Sequence, residues 1–283
     1  MTAPLQGRNP HAAQPISPLA LVASLWQHRQ LIAQMTRREV LGRYRGSVMG
    51  LAWSFFTPIL MLLVYTFVFS VVFNARWGLG DDESRTDFAM LLFVGLIVHS
   101  LFAECVNRAP GLIVSNANFV KKIVFPLDVL PWVAFGSALF NACASLLVLL
   151  LAQVALKQYV PLTALLVPVV LLPLALGTLG LTWFLASLGV FLRDIGQITG
   201  LFTTVMLFVS AIFFPITALP ERYQAWLRFN PLAAVIEQTR DVLIFGRLPD
   251  LNVWLILTAV GTLMAWLGYA WFQKTRKGFA DVI

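Results

Sequence analysis

The chain has 283 residues, of which 59% are hydrophobic and only 12% charged, and its formal net charge is +7. A soluble domain carries about 25% charged residues, so a water-soluble globular protein is excluded, and the mean hydropathy of +0.81 agrees. The positive balance does not indicate nucleic acid, because the cations divide between two sets of loops instead of forming one patch.

The first 16 residues hold Pro4, Gly7, Pro10 and Pro15 and no apolar stretch, so they are expected to form a disordered tail and not a cleavable signal peptide. Ser17-Pro18 then opens a helix, with serine as N-cap and proline at the first helical position. From 17 to 45 the pattern reads as an amphipathic interfacial helix. Val22, Leu25, Trp26, Ile32 and Met35 are its apolar residues, and Arg29, Arg37, Arg38, Arg43 and Arg45 are basic. Such a helix lies along a membrane with its arginines toward anionic headgroups.

Six membrane helices follow in an all-α polytopic protein, about 48–73, 88–107, 130–156, 162–192, 195–214 and 251–272. All but the second lie in uncharged runs at least as long as the ~20 apolar residues that a crossing requires. Gly42, Gly46 and Gly50 stand four apart where the first run begins, a spacing that lets helices approach closely, and Pro58 is expected to kink it. The second helix carries His99 and Glu104. Glu104 precedes Arg108 by one helical turn and reads as an ion pair. His99 reads as a packed neutral histidine, since it points roughly 140° away from Glu104. An ionisable residue within a membrane is also a functional candidate by default. Cys105 and Cys143 both fall within helices and read as small core residues.

In the fourth run Pro168 and Pro173 break the early part, which predicts a short interfacial piece before the long helix. The segment 215–250 is too long for a simple turn, too apolar for a soluble loop and too broken to span. Tyr223, Trp226 and Leu227 cluster at helical spacing, and Asn230-Pro231 starts another helix. Leu232, Val235, Ile236, Thr239 and Leu243 make one face of it, with Glu237, Arg240 and Asp241 on others. The expectation is two short re-entrant helices lining an exit path, since such backbone needs protein or a watery cavity around it.

Thirteen of the twenty lysines and arginines fall on the side that holds both termini, the loop 108–128 and the turn 193–194, and seven fall on the other. The positive-inside rule puts the first set in the cytoplasm. No lysine follows a glycine, so the Gly-Lys-Ser/Thr phosphate loop is missing. H-E-x-x-H and G-x-S-x-G are missing too. No catalytic residue and no metal site is assigned.

Residues 38–53, REVLGRYRGSVMGLAW, lead into Pro58 and Tyr65-Thr66-Phe67-Val68-Phe69. With the loop 116–131 (NANFVKKIVFPLDVLP), Phe191-Leu192-Arg193-Asp194-Ile195, Phe214-Pro215 and Asn230-Pro231, this order resembles the ABC-2 type polysaccharide-export permeases. These are the membrane subunits that export O-antigen, capsule or teichoic acid, and the resemblance covers nearly all of residues 17–283. It implies a permease in a bacterial inner membrane, working as two copies with two copies of an ABC ATPase. ATP and magnesium would belong to the partner ATPase, and this chain would bind no cofactor. The substrate would be a glycan on a lipid-phosphate carrier.

The resemblance also assigns residues. Asn116, Asn118, Phe119, Lys121, Lys122, Phe125 and Pro126 would form the ATPase-coupling loop. Arg37, Arg38, Arg43 and Arg45 would meet a phosphate headgroup, which arginine forks suit. Trp53, Phe56, Tyr65, Phe69, Phe202, Tyr223 and Trp226 are candidates to line the channel and its exit. Two other functions stay open: an ABC-2 permease for a small lipid or drug, and a membrane-embedded enzyme acting on a lipid carrier with His99 and Glu104 as acid–base groups.

Overall fold

A computed structural model describes residues 16–73, 77–78, 85–122 and 125–283. The tail 1–15, Arg76, the acidic stretch Asp81–Glu83, Ile123, Val124 and the side chains of Lys121 and Lys122 lie outside the described residues. Within them the fold is helical throughout, and no strand occurs among the described residues. Five helical stretches are long and apolar enough to cross a membrane: Gly50–Phe69, Thr86–Gly111, Val129–Lys157, Leu162–Phe191 and Leu251–Val282. Ile195–Val209 is apolar but shorter, at 15 residues.

Helix α1 (Pro18–Arg43) starts where Ser17 Oγ accepts from the Ala20 amide at 3.2 Å. Its covered positions are 20, 21, 24, 25, 28, 31, 32, 35, 36, 39 and 40, an alternation of three and four that marks one helical face. That face packs on α5 (Val129–Lys157), where Gly136 leaves room for the Thr36 side chain. Leu25, Ile32 and Met35 are on the covered face. Val22 and Trp26 are exposed with Arg29, Arg37 and Arg38. The expected division into an apolar and a basic face is therefore not clean.

The Gly42, Gly46, Gly50 spacing is not a helix-packing stripe. Gly46 (φ +84°) and Gly50 (φ +51°) take left-handed backbone that ends α1 and turns the chain into α2 (Trp53–Tyr65). No side chain or backbone approaches a Cβ placed at any of the three. Pro58 sits within α2, buried. The helix then widens over Thr66–Val72, where the Thr66 hydroxyl donates to the Leu62 carbonyl at 2.6 Å.

Helix α3 (Arg85–Arg108) is the axis of the molecule. In its most apolar window 72% of residues are buried, against 11% for Gly50–Phe69. It packs on α2, α5, α7 (Leu172–Phe191), α8 (Ile195–Val209) and α10 (Pro231–Arg240). After it come two single helical turns and the short α4 (Ala117–Lys122). Before α7, the stretch Leu162–Leu166 and the four-residue α6 (Val167–Val170) form the broken start that Pro168 and Pro173 announce.

The closest helix pair is α7 with α11 (Leu251–Thr275). Gly180 lies against the backbone of Met264 and Ala265, Gly268 against the Gly180 carbonyl, and Gly261 against the Pro173 carbonyl. Small residues are what allow such backbone contact between membrane helices. Ser187 Oγ and Thr275 Oγ1, 2.6 Å apart, fasten one end of the pair, and Trp254 Nε1 of α11 donates to the Val169 carbonyl of α6 at 2.8 Å. Two short helices, α9 (Glu221–Arg228) and α10, occupy the segment between α8 and α11, and α12 (Phe279–Val282) closes the chain.

Candidate functional site

The residues singled out from sequence gather at the two ends of the bundle. At the end bearing α4 and α12, α1 supplies Glu39 and Arg43, α3 supplies Glu104 and Arg108, and α5 supplies Asn141. Arg43 bonds Glu104 directly and lies 3.5 Å from Glu39; Arg108 reaches Glu39 at 2.5 Å and Glu104 at 3.6 Å. Asn141 Nδ2 donates to the other Glu104 oxygen at 2.9 Å. Two carboxylates and two guanidiniums thus neutralise one another across α1 and α3, each group 22–31% exposed. Burial alone would lower the Arg43 guanidinium, but Glu104 and Glu39 outweigh it and hold it above its ordinary value.

This network separates the four arginines proposed for a headgroup. Arg43 is taken up by carboxylates, while Arg37, Arg38 and Arg45 stay exposed on the surface. The Glu104–Arg108 pair is present as read from the spacing. His99, 8% exposed, places Nε2 2.9 Å from the Thr203 carbonyl on α8, and the Thr203 hydroxyl donates to Asn107 at 3.1 Å. His99 and Glu104 serve separate networks and are not arranged as an acid–base pair.

In the loop, Asn116 Nδ2 donates to the Leu112 carbonyl at 2.9 Å, and Asn118 is exposed. Phe119 stacks on Phe125, with ring centroids 4.5 Å apart, and both lie against an apolar cluster that includes Leu127, Trp183 and Phe279; Pro126 is half-buried.

The aromatic residues do not form one row. Trp53 and Phe56 meet edge-on at 5.4 Å on the outward face of α2. Tyr65 and Phe69 are packed inward, Phe69 stacking on Phe88 and Phe213 at 5.8 Å each. Phe202 touches Phe102 and borders a cavity of about 180 Å³ between α3, α7, α8, α10 and α11. Tyr223 lies under the Arg222 guanidinium, and Trp226 is 78% exposed.

Arg240, at the opposite end, is the residue that sequence reasoning misplaced. It is 0% exposed. Nε donates to the Leu91 carbonyl at 3.0 Å, one Nη to Ala211 at 2.9 Å and to Glu237 at 2.6 Å, and the other Nη to Ile212 at 3.0 Å. The guanidinium also stacks over Trp77, 4.3 Å from the ring centroid. The sequence contained the signal. Arg240 is four residues after Ile236 and three before Leu243, both buried, so helical spacing puts it on the apolar face and not off it.

These bonds explain why α8 stops at Val209 and does not run to 214. A helix end leaves carbonyls without partners. Here Asn230 donates to Val209 at 3.2 Å and Arg240 takes Ala211 and Ile212, with Ala211 in left-handed backbone (φ +54°). Asn230 also caps α10 by accepting from the Leu232 amide at 3.0 Å. A cation beside a helix C-terminus is electrostatically favoured, and each nitrogen of the fork finds an acceptor, as burial of a charge demands.

The family model for the ABC-2 type transporter matches residues 30–244. The chain belongs to the ABC-2 type transporter family. It is 30% identical over 267 residues to the O-antigen export system permease protein RfbA of Myxococcus xanthus, a match covering 94% of this chain and all of that one. An RfbA of Klebsiella pneumoniae is 24% identical, covering 89% of this chain and 95% of its own. The polysialic acid transport protein KpsM of Escherichia coli is 26% identical, over 85% and 91% respectively.

Proposed function

We propose that this ABC-2 chain is the permease subunit of an ATP-driven exporter that moves lipid-linked polysaccharide, of O-antigen or capsule type, from the cytoplasm across the inner membrane. The observation that carries this is the end-to-end similarity to O-antigen export permeases, 30% identical over the whole of one of them. ATP is hydrolysed by a separate ATPase chain, since this sequence lacks a phosphate loop. Two permeases and two ATPases form the working unit, with ATP and magnesium in the ATPases. The loop around α4 docks the ATPase through Asn116, Asn118, Phe119, Lys121, Lys122, Phe125 and Pro126.

In this reading both chain termini are cytoplasmic and α1 lies in the inner interface. The chain crosses six times, with α8 as the short fifth crossing. Helices α9 and α10 dip back into the outer leaflet at the exit. Arg37, Arg38 and Arg45 face the arriving lipid phosphate, and Arg43 holds α1 in place behind them. The exposed aromatics Trp53, Phe56 and Phe202 offer sugar rings an apolar face that fixes no single hydrogen-bond register. Tyr65 and Phe69 support that surface from inside, and Tyr223 and Trp226 stand at the outer mouth.

Mass spectrometry of the permease purified in mild detergent from its own host, after cross-linking in the membrane, tests the proposal. An ABC ATPase together with a glycan on a phosphate-linked lipid is the expected result. Cross-linked permease that carries no ATPase would overturn it. Topology is checked separately with a cysteine at position 223 or 226, which should react with an impermeant thiol reagent from outside and not from the cytoplasm.

A further inference from the structure

Another carboxylate near the end bearing α4 and α12, Asp128, does not serve the helix it begins. Asp128 is the N-cap of α5, a position where a carboxylate ordinarily accepts from its own helix's first amides. Here its side chain makes no capping bond. It instead takes the Ser24 hydroxyl of α1, and Oδ1 lies 3.7 Å from Arg276 at the end of α11. Its backbone carbonyl accepts from Trp183 Nε1 of α7 at 3.1 Å. Arg276 in turn donates to the Phe125 carbonyl at 2.9 Å, and Phe125 stacks on Phe119 of α4. Asp128 is 5% exposed. A single residue at the exit of the α4 loop therefore touches α1, α7 and the C-terminal segment, besides starting α5.

We propose that Asp128 is the positioning residue through which movement of the α4 loop reaches α1 and the C-terminal segment; this rests on the reading that the loop docks the ATPase. A displacement of Phe119 and Phe125 is carried through Arg276 and Asp128 to Ser24, shifting the interfacial helix against α5. Giving up its own cap is the cost of that connection. A residue present only to start α5 would point its carboxylate at the α5 amides.

The test is Asp128→Asn, which keeps shape and removes charge, in the permease–ATPase complex reconstituted in proteoliposomes. The complex should assemble and hydrolyse ATP within about twofold of wild type, while glycan exported per ATP falls at least tenfold. Ser24→Ala should shift the same ratio in the same direction by a smaller factor. A spin label on Trp26→Cys in a background free of other cysteines should respond to ATP in the otherwise unaltered complex and not with Asp128→Asn. An unchanged export-to-ATP ratio would overturn the proposal. Should Asp128→Asn not assemble, Ser24→Ala and Arg276→Gln decide: wild-type ratios in both would overturn it. Failure of the docking reading looks different, because charge reversal at Lys121 and Lys122 would then leave ATPase recruitment and coupling unchanged, whatever Asp128 does.

Discussion

The two ends of the bundle solve the problem of polar groups in a membrane protein in opposite ways. At the end bearing α4 and α12, Glu39, Arg43, Glu104 and Arg108 share their charges in a half-open ring, each with at least two partners of opposite sign. At the opposite end one guanidinium, Arg240, is fully enclosed and donates to carbonyls of α3 and of the end of α8. The ring is redundant: loss of one member leaves others paired, and solvent screens what remains. The enclosed arginine has no substitute, because its removal leaves backbone carbonyls buried without donors. Redundancy suits a surface where a helix must be free to shift against its neighbours, and single enclosure suits a seal.

The contrast can be broken by substitution. Arg240→Met should destabilise the permease by about 3–5 kcal/mol, the range for stripping one side of a buried charged network, seen as a lower unfolding temperature in detergent and loss of export. Equal stability of the variant would sink the idea of an enclosed anchor. Asn230→Ala removes the α10 cap and the bond to Val209 and should cost about 1 kcal/mol, with export reduced and insertion unchanged. Glu104→Gln should cost less, about 0–1 kcal/mol, and leave export working, because Glu39 still serves both arginines. Abolished turnover at wild-type stability would instead favour an acid–base role for Glu104. Charge reversal at Lys121 and Lys122 should leave stability untouched while lowering export and permease-stimulated ATP hydrolysis; wild-type values for both would remove them from the coupling loop.

What the sequence disclosed follows the same division. The long helices were legible because hydrophobicity is a property of each residue alone: the uncharged run 129–156 is one helix, Val129–Lys157. Pro168 and Pro173 likewise announced the broken entry to α7. Glu104 and Arg108 could be paired because both lie on one helix, one turn apart. The arrival of Glu39 and Arg43 depends on how α1 packs on α5 beside α3, which no spacing encodes. The end of α8 was misjudged by five residues because Arg240, far along the chain, decides where its carbonyls find donors. The aromatic candidates scattered for a related reason. Composition marked them, but whether a phenylalanine faces Phe88, as Phe69 does, or the outside, as Phe56 does, is fixed by packing.

The glycine contact between α7 and α11 also sets an order of events during synthesis. A membrane chain is made from its N-terminus, so α7 enters the bilayer with Gly180 facing no partner until the last long helix emerges. Until then its small-residue groove lacks the close van der Waals packing that α11 supplies. The final helix is therefore the closing piece of the fold, and a ribosome that stops before residue 251 leaves an open, small-residue face for membrane proteases to recognise. Truncations near the C-terminus should consequently reduce abundance as severely as lesions at the centre of the bundle.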